Sequence, residues 1–171
     1  MKRGLLLSCI ATIILLGSFT SSKDWYKYTS TEGKYSINFP GKPTESVQSD
    51  TGENGSVLTI HMATYEVSET QVYLSSFIDM HSYYPESKSL KQILEDSRDG
   101  ATASMSATNI VTTATNLGKN AYIEFTFNTS ELTGKDRIYM IDKFQYSVIV
   151  LNSKDKGLGD ADKFITSFTH L

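Results

Sequence analysis

Groups capable of chemistry crowd together in one stretch of this chain, Asp79-Met80-His81-Ser82-Tyr83-Tyr84. Asp79 and His81 are two apart, so on a strand they share a face. A carboxylate and an imidazole on one face can meet a single divalent metal. Tyr83 and Tyr84 can line a groove beside them. Two protein ligands are fewer than a metal site ordinarily uses. The segment is therefore a candidate for binding a small ligand or metal through Asp79, His81, Tyr83 and Tyr84. The competing reading is a strand end running into a polar loop, with the tyrosines half buried.

The rest of the chain offers little chemistry. His61 and His170 belong to no close-spaced ligand set such as H-E-x-x-H. His61 is expected on a strand, opposite its more apolar face, facing solvent or hydrogen-bonded. His170 is expected to be loose, as residues near chain ends often are. No serine sits in the nucleophile-elbow pattern G-x-S-x-G. No Gly-rich phosphate loop follows a strand. Asp155, Asp160 and Asp162 lack calcium-loop spacing. The expectation is no catalytic residue, no metal site, no cofactor and no enzyme. A hydrolase would need the fold to bring His61 or His81 against a serine and an acid.

Residues 1–22 have the three parts of a secretory leader. Lys2 and Arg3 precede an apolar run from Leu5 to Phe19, and small polar residues Thr20 to Ser22 follow. The run is about 15 residues against roughly 20 needed to span a bilayer. The alternatives are an uncleaved anchor and lipid attachment at Cys9. The leader implies export to a periplasm or beyond, with no membrane span after cleavage. Cys9 is the single cysteine, so residues 23–171 have no disulfide and no thiolate chemistry. Losing Lys2 and Arg3 takes the formal charge from −3 to −5. Mild acidity with no basic cluster argues against nucleic acid as a partner.

The remaining residues read as one α+β domain, a mostly antiparallel sheet with helices packed on it. Strands are expected at 25–28, at Tyr35–Phe39, along the polar edge 44–50, at Val57–Val67 and at Val72–Met80. Asn54-Gly55 suits a turn. Leu90, Ile93, Leu94, Ser97, Ala101 and Met105 then fall at helical spacing, with Ser89 and Gln92 placed as a capping box. Strands follow at Ser106–Thr115, Tyr122–Thr129, Arg137–Ile141 and Gln145–Leu151. Their turns are expected at 116–120, Thr133-Gly134-Lys135 and Asp142-Lys143, which favours a meander. Ala161, Phe164, Ile165 and Phe168 form the apolar stripe of a closing helix.

The run from Glu32 to Pro43, EGKYSINFPGKP, and the closing run from Ala161 to Phe168, ADKFITSF, resemble small exported bacterial domains of unassigned role. The order of strands around Arg98-Asp99-Gly100-Ala101 is similar too. Those domains look similar in architecture to PsbP, the extrinsic subunit of photosystem II. The resemblance implies a PsbP-like α/β/α sandwich and carries over no site and no photosynthetic role. The expected function is a non-catalytic exported domain that binds a protein or cell-envelope component.

Overall fold

The computed structural model describes residues 24–51 and 57–171. The expected leader and the expected Asn54-Gly55 turn lie outside the described residues. Along the chain come β1 (Tyr26–Ser30), β2 (Tyr35–Phe39), β3 (Thr44–Thr51), β4 (Val57–Ser68) and β5 (Gln71–Asp79). Next are α1 (Leu90–Ser104), β6 (Thr108–Asn116), β7 (Ala121–Asn128), β8 (Leu132–Ile141) and β9 (Phe144–Ser153). The chain closes with α2 (Ala161–Thr166) and β10 (Thr169–His170).

Two sheets form where a single one was expected. Seven strands line up as β3-β4-β5-β9-β8-β7-β6, and three more as β1-β2-β10. Every pairing is antiparallel. The expected meander is thus two meanders, β3-β4-β5 and β6-β7-β8-β9. α1 carries the chain between them, and the β5–β9 pairing joins them.

Side-chain alternation divides the large sheet into two faces. On β8, Ile138 and Met140 join one core, with Ile123, Phe125, Phe127 and the α1 residues Ile93 and Leu94. Tyr139 and Ile141 join the other core, with Tyr146, Val148, the α2 residues Phe164 and Ile165, and Tyr35, Ile37 and Phe39 of β2. The second face is covered mainly by the small sheet, because α2 has only six residues. Ser89 and Gln92 make the expected capping box at the start of α1. Lys91, Glu95 and Asp99 lie on its outer side.

Three local expectations are corrected. Gly134 lies inside β8, not in a turn, because the Phe127 ring occupies the space its side chain would need. The hairpin turns instead at 129–131, where the Leu132 N–H donates to Thr129 Oγ1 (3.0 Å). α2 stops before Phe168. Ser167 Oγ donates to the Phe164 carbonyl (2.7 Å) and accepts from the Asn38 N–H of β2 (3.0 Å), which turns Phe168 into the seam between the sheets. His170 is paired with Tyr35 in β10, not loose, and its ring packs edge-on against Tyr146 at 5.9 Å.

Asp136 faces the α1 side, buried, and among the described residues no lysine or arginine pairs with it. Ser147 Oγ donates to it (2.9 Å), but burial pushes its carboxyl up to about 7. The folded chain therefore holds a proton there that the unfolded chain releases near 4. This contribution to stability is full below about 4 and is lost as pH rises toward 7. Asp136→Asn is expected to remove that decline, which urea melts of both proteins across pH 4–8 will read. Gly100 on α1 has open space around it. Gly100→Ala should stabilise the fold by about 0.5–1 kcal/mol. Gly134→Ala should destabilise it, since the Phe127 ring must move. Denaturant midpoints check both.

Candidate functional site

The small sheet covers only part of the large one, and a cleft runs between them along β4 and β5. Its first section, about 250 Å³, is lined by Tyr28, Tyr35, Glu45 and Val47 among others. A second, about 400 Å³, reaches Asp79, Ser82, Tyr83 and Phe144. Glu32, His61 and Phe77 line both sections.

His61 sits at the middle. Contrary to expectation, its face of β4 is the better covered one, since Ala63 beside it is fully buried. α1 packs over β7 and β8 and leaves the opposite side of β4 half open. The imidazole lies flat on the Phe77 ring, centroids 4.5 Å apart. Its Nε2 is 3.5 Å from Glu32 Oε1. Stacking and the carboxylate together fix the ring orientation.

The sequence-predicted residues divide around the end of β5. His81 lies in the turn after the strand, so it shares no strand face with Asp79. It still reaches the carboxylate: Nδ1 is 2.6 Å from Asp79 Oδ1, and the His81 backbone N–H donates to the same oxygen at 2.9 Å. That N–H and then the ring hold the Asp79 carboxyl below the usual range. Tyr83 turns into the cleft wall and donates to the Val57 carbonyl (2.8 Å). Tyr84 turns away to pack on the α1 core, with Lys143 Nζ over its ring at 5.1 Å. The structure thus unites Asp79, His81 and Tyr83 and separates Tyr84. Among the described residues, no three His, Cys, Asp or Glu side chains converge as a metal-ligand group.

Glu45 and Glu32 were not read from the sequence as site residues. Tyr28 Oη donates to Glu45 Oε1 at 2.6 Å, bridging β1 and β3. Burial and that bond raise the Tyr28 phenol pKa well above its ordinary value. A second charged group, also unread, lies further along the same face. Glu124 is paired with Arg137 across β7 and β8. Lys135 lies 2.9 Å from Glu124 and 2.6 Å from Asp162 of α2. Burial pushes the Glu124 carboxyl up, but Lys135, Arg137 and Thr113 outweigh it and hold it down. Arg137 also lies over the Tyr122 ring at 4.5 Å. This network ties α2 to the sheet. Strand register and the docking of α2 bring its members together, so spacing along the chain held no signal for the whole network.

The architecture matches the solution structure of cyanobacterial PsbP (CyanoP) from Synechocystis sp. PCC 6803, with a TM-score of 0.53. The fold is PsbP-like. The match covers 91% of this chain and 99% of that one at 10% identity, which carries the architecture alone. No family model and no curated protein matches the sequence. No helix among the described residues is long and apolar enough to cross a membrane.

His81→Ala removes the ring and keeps the backbone N–H, so it should raise the Asp79 titration midpoint only part of the way toward that of an ordinary aspartate. Carboxyl-carbon NMR across pH 2–7 reads it directly, and an unmoved midpoint would show that the backbone N–H, and not the ring, holds the carboxyl down.

Proposed function

We propose that this protein is an exported, non-catalytic domain of three-layer α/β/α type that binds a protein or cell-envelope partner through the cleft between its sheets. The cleft itself is the observation that supports this reading most. It is open, floored by aromatic rings and rimmed by Glu32 and Glu45. His61 in the cleft and His81 at its margin are committed to fixed contacts, His61 to Phe77 and Glu32, and His81 to Asp79. No serine hydroxyl is hydrogen-bonded to either ring among the described residues, so the arrangement favours recognition over bond-making. The basic, apolar and small-residue succession of residues 1–22 supports export.

A pull-down from envelope extract with the tagged domain should recover the same partner in independent preparations. Repeated recovery of none would end this reading. Cell fractionation of the full chain and of a chain lacking residues 2–22 should place only the former outside the cytoplasm.

The second section of the cleft supports one other reading, a small-ligand or metal module. Asp79 and Tyr83 face its space, and His81 orients Asp79. Calorimetric titration with zinc should then give heat for the wild type that His81→Ala abolishes. Equal heats, or none, would remove it.

A further inference from the structure

We propose that β3 is the docking edge of this domain: an extended segment of a partner protein adds to it as a further strand and places basic side chains in the cleft beside Glu32 and Glu45. This inference rests on the binding reading above and gives the partner its chemistry.

Among the described residues the large sheet ends in two unpaired edges, β3 and β6, and they differ. β6 has register breaks at Thr108–Val111 and Thr112–Ala114, and Asn109 between them is in the left-handed region (φ 51°). Such irregularities blunt an edge. β3 has none. All eight of its residues pair in unbroken register with β4, from Thr44↔Thr64 to Thr51↔Val57. Its outer side therefore presents an uninterrupted row of backbone donors and acceptors. The strand has no proline and no lysine, the residues that usually block edge pairing. Its Val47 is 60% exposed.

The surroundings fit an added strand. Side chains of an extended segment alternate between the two faces of a sheet. The hollows beside β3 alternate likewise. On the small-sheet side lies the cleft with Glu45, Val47 and His61. On the other side a hollow of about 480 Å³ is bounded by Ser46, Thr64 and Glu66. Backbone pairing supplies affinity in this mode of recognition, and side-chain hollows supply selectivity.

Charge decides the occupant. Glu32 and Glu45 both line the cleft, and among the described residues neither is paired with a lysine or arginine. The Tyr28 phenol aims the Glu45 carboxylate, while the Tyr28 ring and the His61 imidazole stacked on Phe77 supply the aromatic wall. A lysine or arginine entering there meets carboxylates and ring faces together. An acidic segment meets repulsion. The opposite hollow has both Lys42 and Glu66 and selects no sign.

The test selects random linear decapeptides displayed on phage against the wild-type domain, then measures binding of the enriched peptides to two variants. Val47→Lys places a blocking cation on the edge. The pair Glu32→Gln, Glu45→Gln removes the charge and keeps an acceptor for Tyr28. Enriched peptides should carry lysine or arginine at alternate positions and lose at least about tenfold in affinity on each variant. Amide exchange should slow at residues 44–49 of the wild type on binding. Failure to enrich, a neutral or acidic consensus, equal affinity for all three proteins, or protection at β6 would overturn the proposal. So would sedimentation showing that β3 pairs with β3 of a second copy. If a partner recovered from the envelope binds both variants as well as the wild type, the edge proposal fails and the binding reading stands. If selected peptides protect β3 while no envelope partner is ever recovered, the reverse holds.

Discussion

The seam of tyrosine and phenylalanine rings between the two sheets is the contact on which the rest depends. Tyr35 of β2 stacks on Phe168 at 5.4 Å, and Phe168 stacks on Tyr139 of β8 at 4.4 Å. Polar ends finish the joint. Tyr146 Oη donates to the Gly33 carbonyl, and the Tyr35 and Ser75 hydroxyls share a hydrogen bond, both at 2.9 Å. Burial pushes the Tyr35 phenol up to about 12, so it stays protonated and bonded at any ordinary pH. Each ring supplies apolar area and each hydroxyl finds a partner, which is what makes tyrosine useful in a buried joint.

The cleft follows from that joint. The small sheet is too narrow to cover the large one. Where it stops, at Glu32 and Tyr28, a space is left over His61 and Phe77, bounded at the side by Glu45 of β3. The groups around it come from β1, the β1–β2 turn, β2, β3, β4, β5, the loop after β5 and β9. α2 takes part at a distance, by holding β2 through Ser167 and the large sheet through the Lys135–Asp162 pair.

Local signals in the sequence read well. Ser89 and Gln92 marked the start of α1, the alternation of Tyr35, Ile37 and Phe39 marked β2, and Asp142-Lys143 marked the turn into β9. Each depends on residues a few positions apart. The misreadings came where tertiary packing overrules a local preference. Gly134 has the composition of a turn, but the Phe127 ring needs its empty side. Phe168 keeps the helical stripe, but Ser167 ends the helix. The split into two sheets and the placement of β9 beside β5 are pairings between distant segments, and no periodicity encodes them. The same division holds for the site. Asp79 and His81 meet within one turn and could be read. Glu45 and His61 are neighbours only through the β3–β4 register, Glu32 joins them only when the sheets dock, and Tyr84 leaves because the chain bends toward α1.

The β5–β9 pairing also shapes the order of events as the chain is made. Of the strands of the large sheet, β3, β4 and β5 emerge first and can pair with one another at once. The β5 edge that pairs with β9, on a strand with Leu74 on one face and Phe77 on the other, then stands bare until β9 is delivered after the whole of α1 and three more strands. During that interval the nascent chain displays an apolar, unsaturated ribbon, the kind of surface that misassembles with neighbours. A holdase that shields the first half until the second arrives would protect it at its most vulnerable stage.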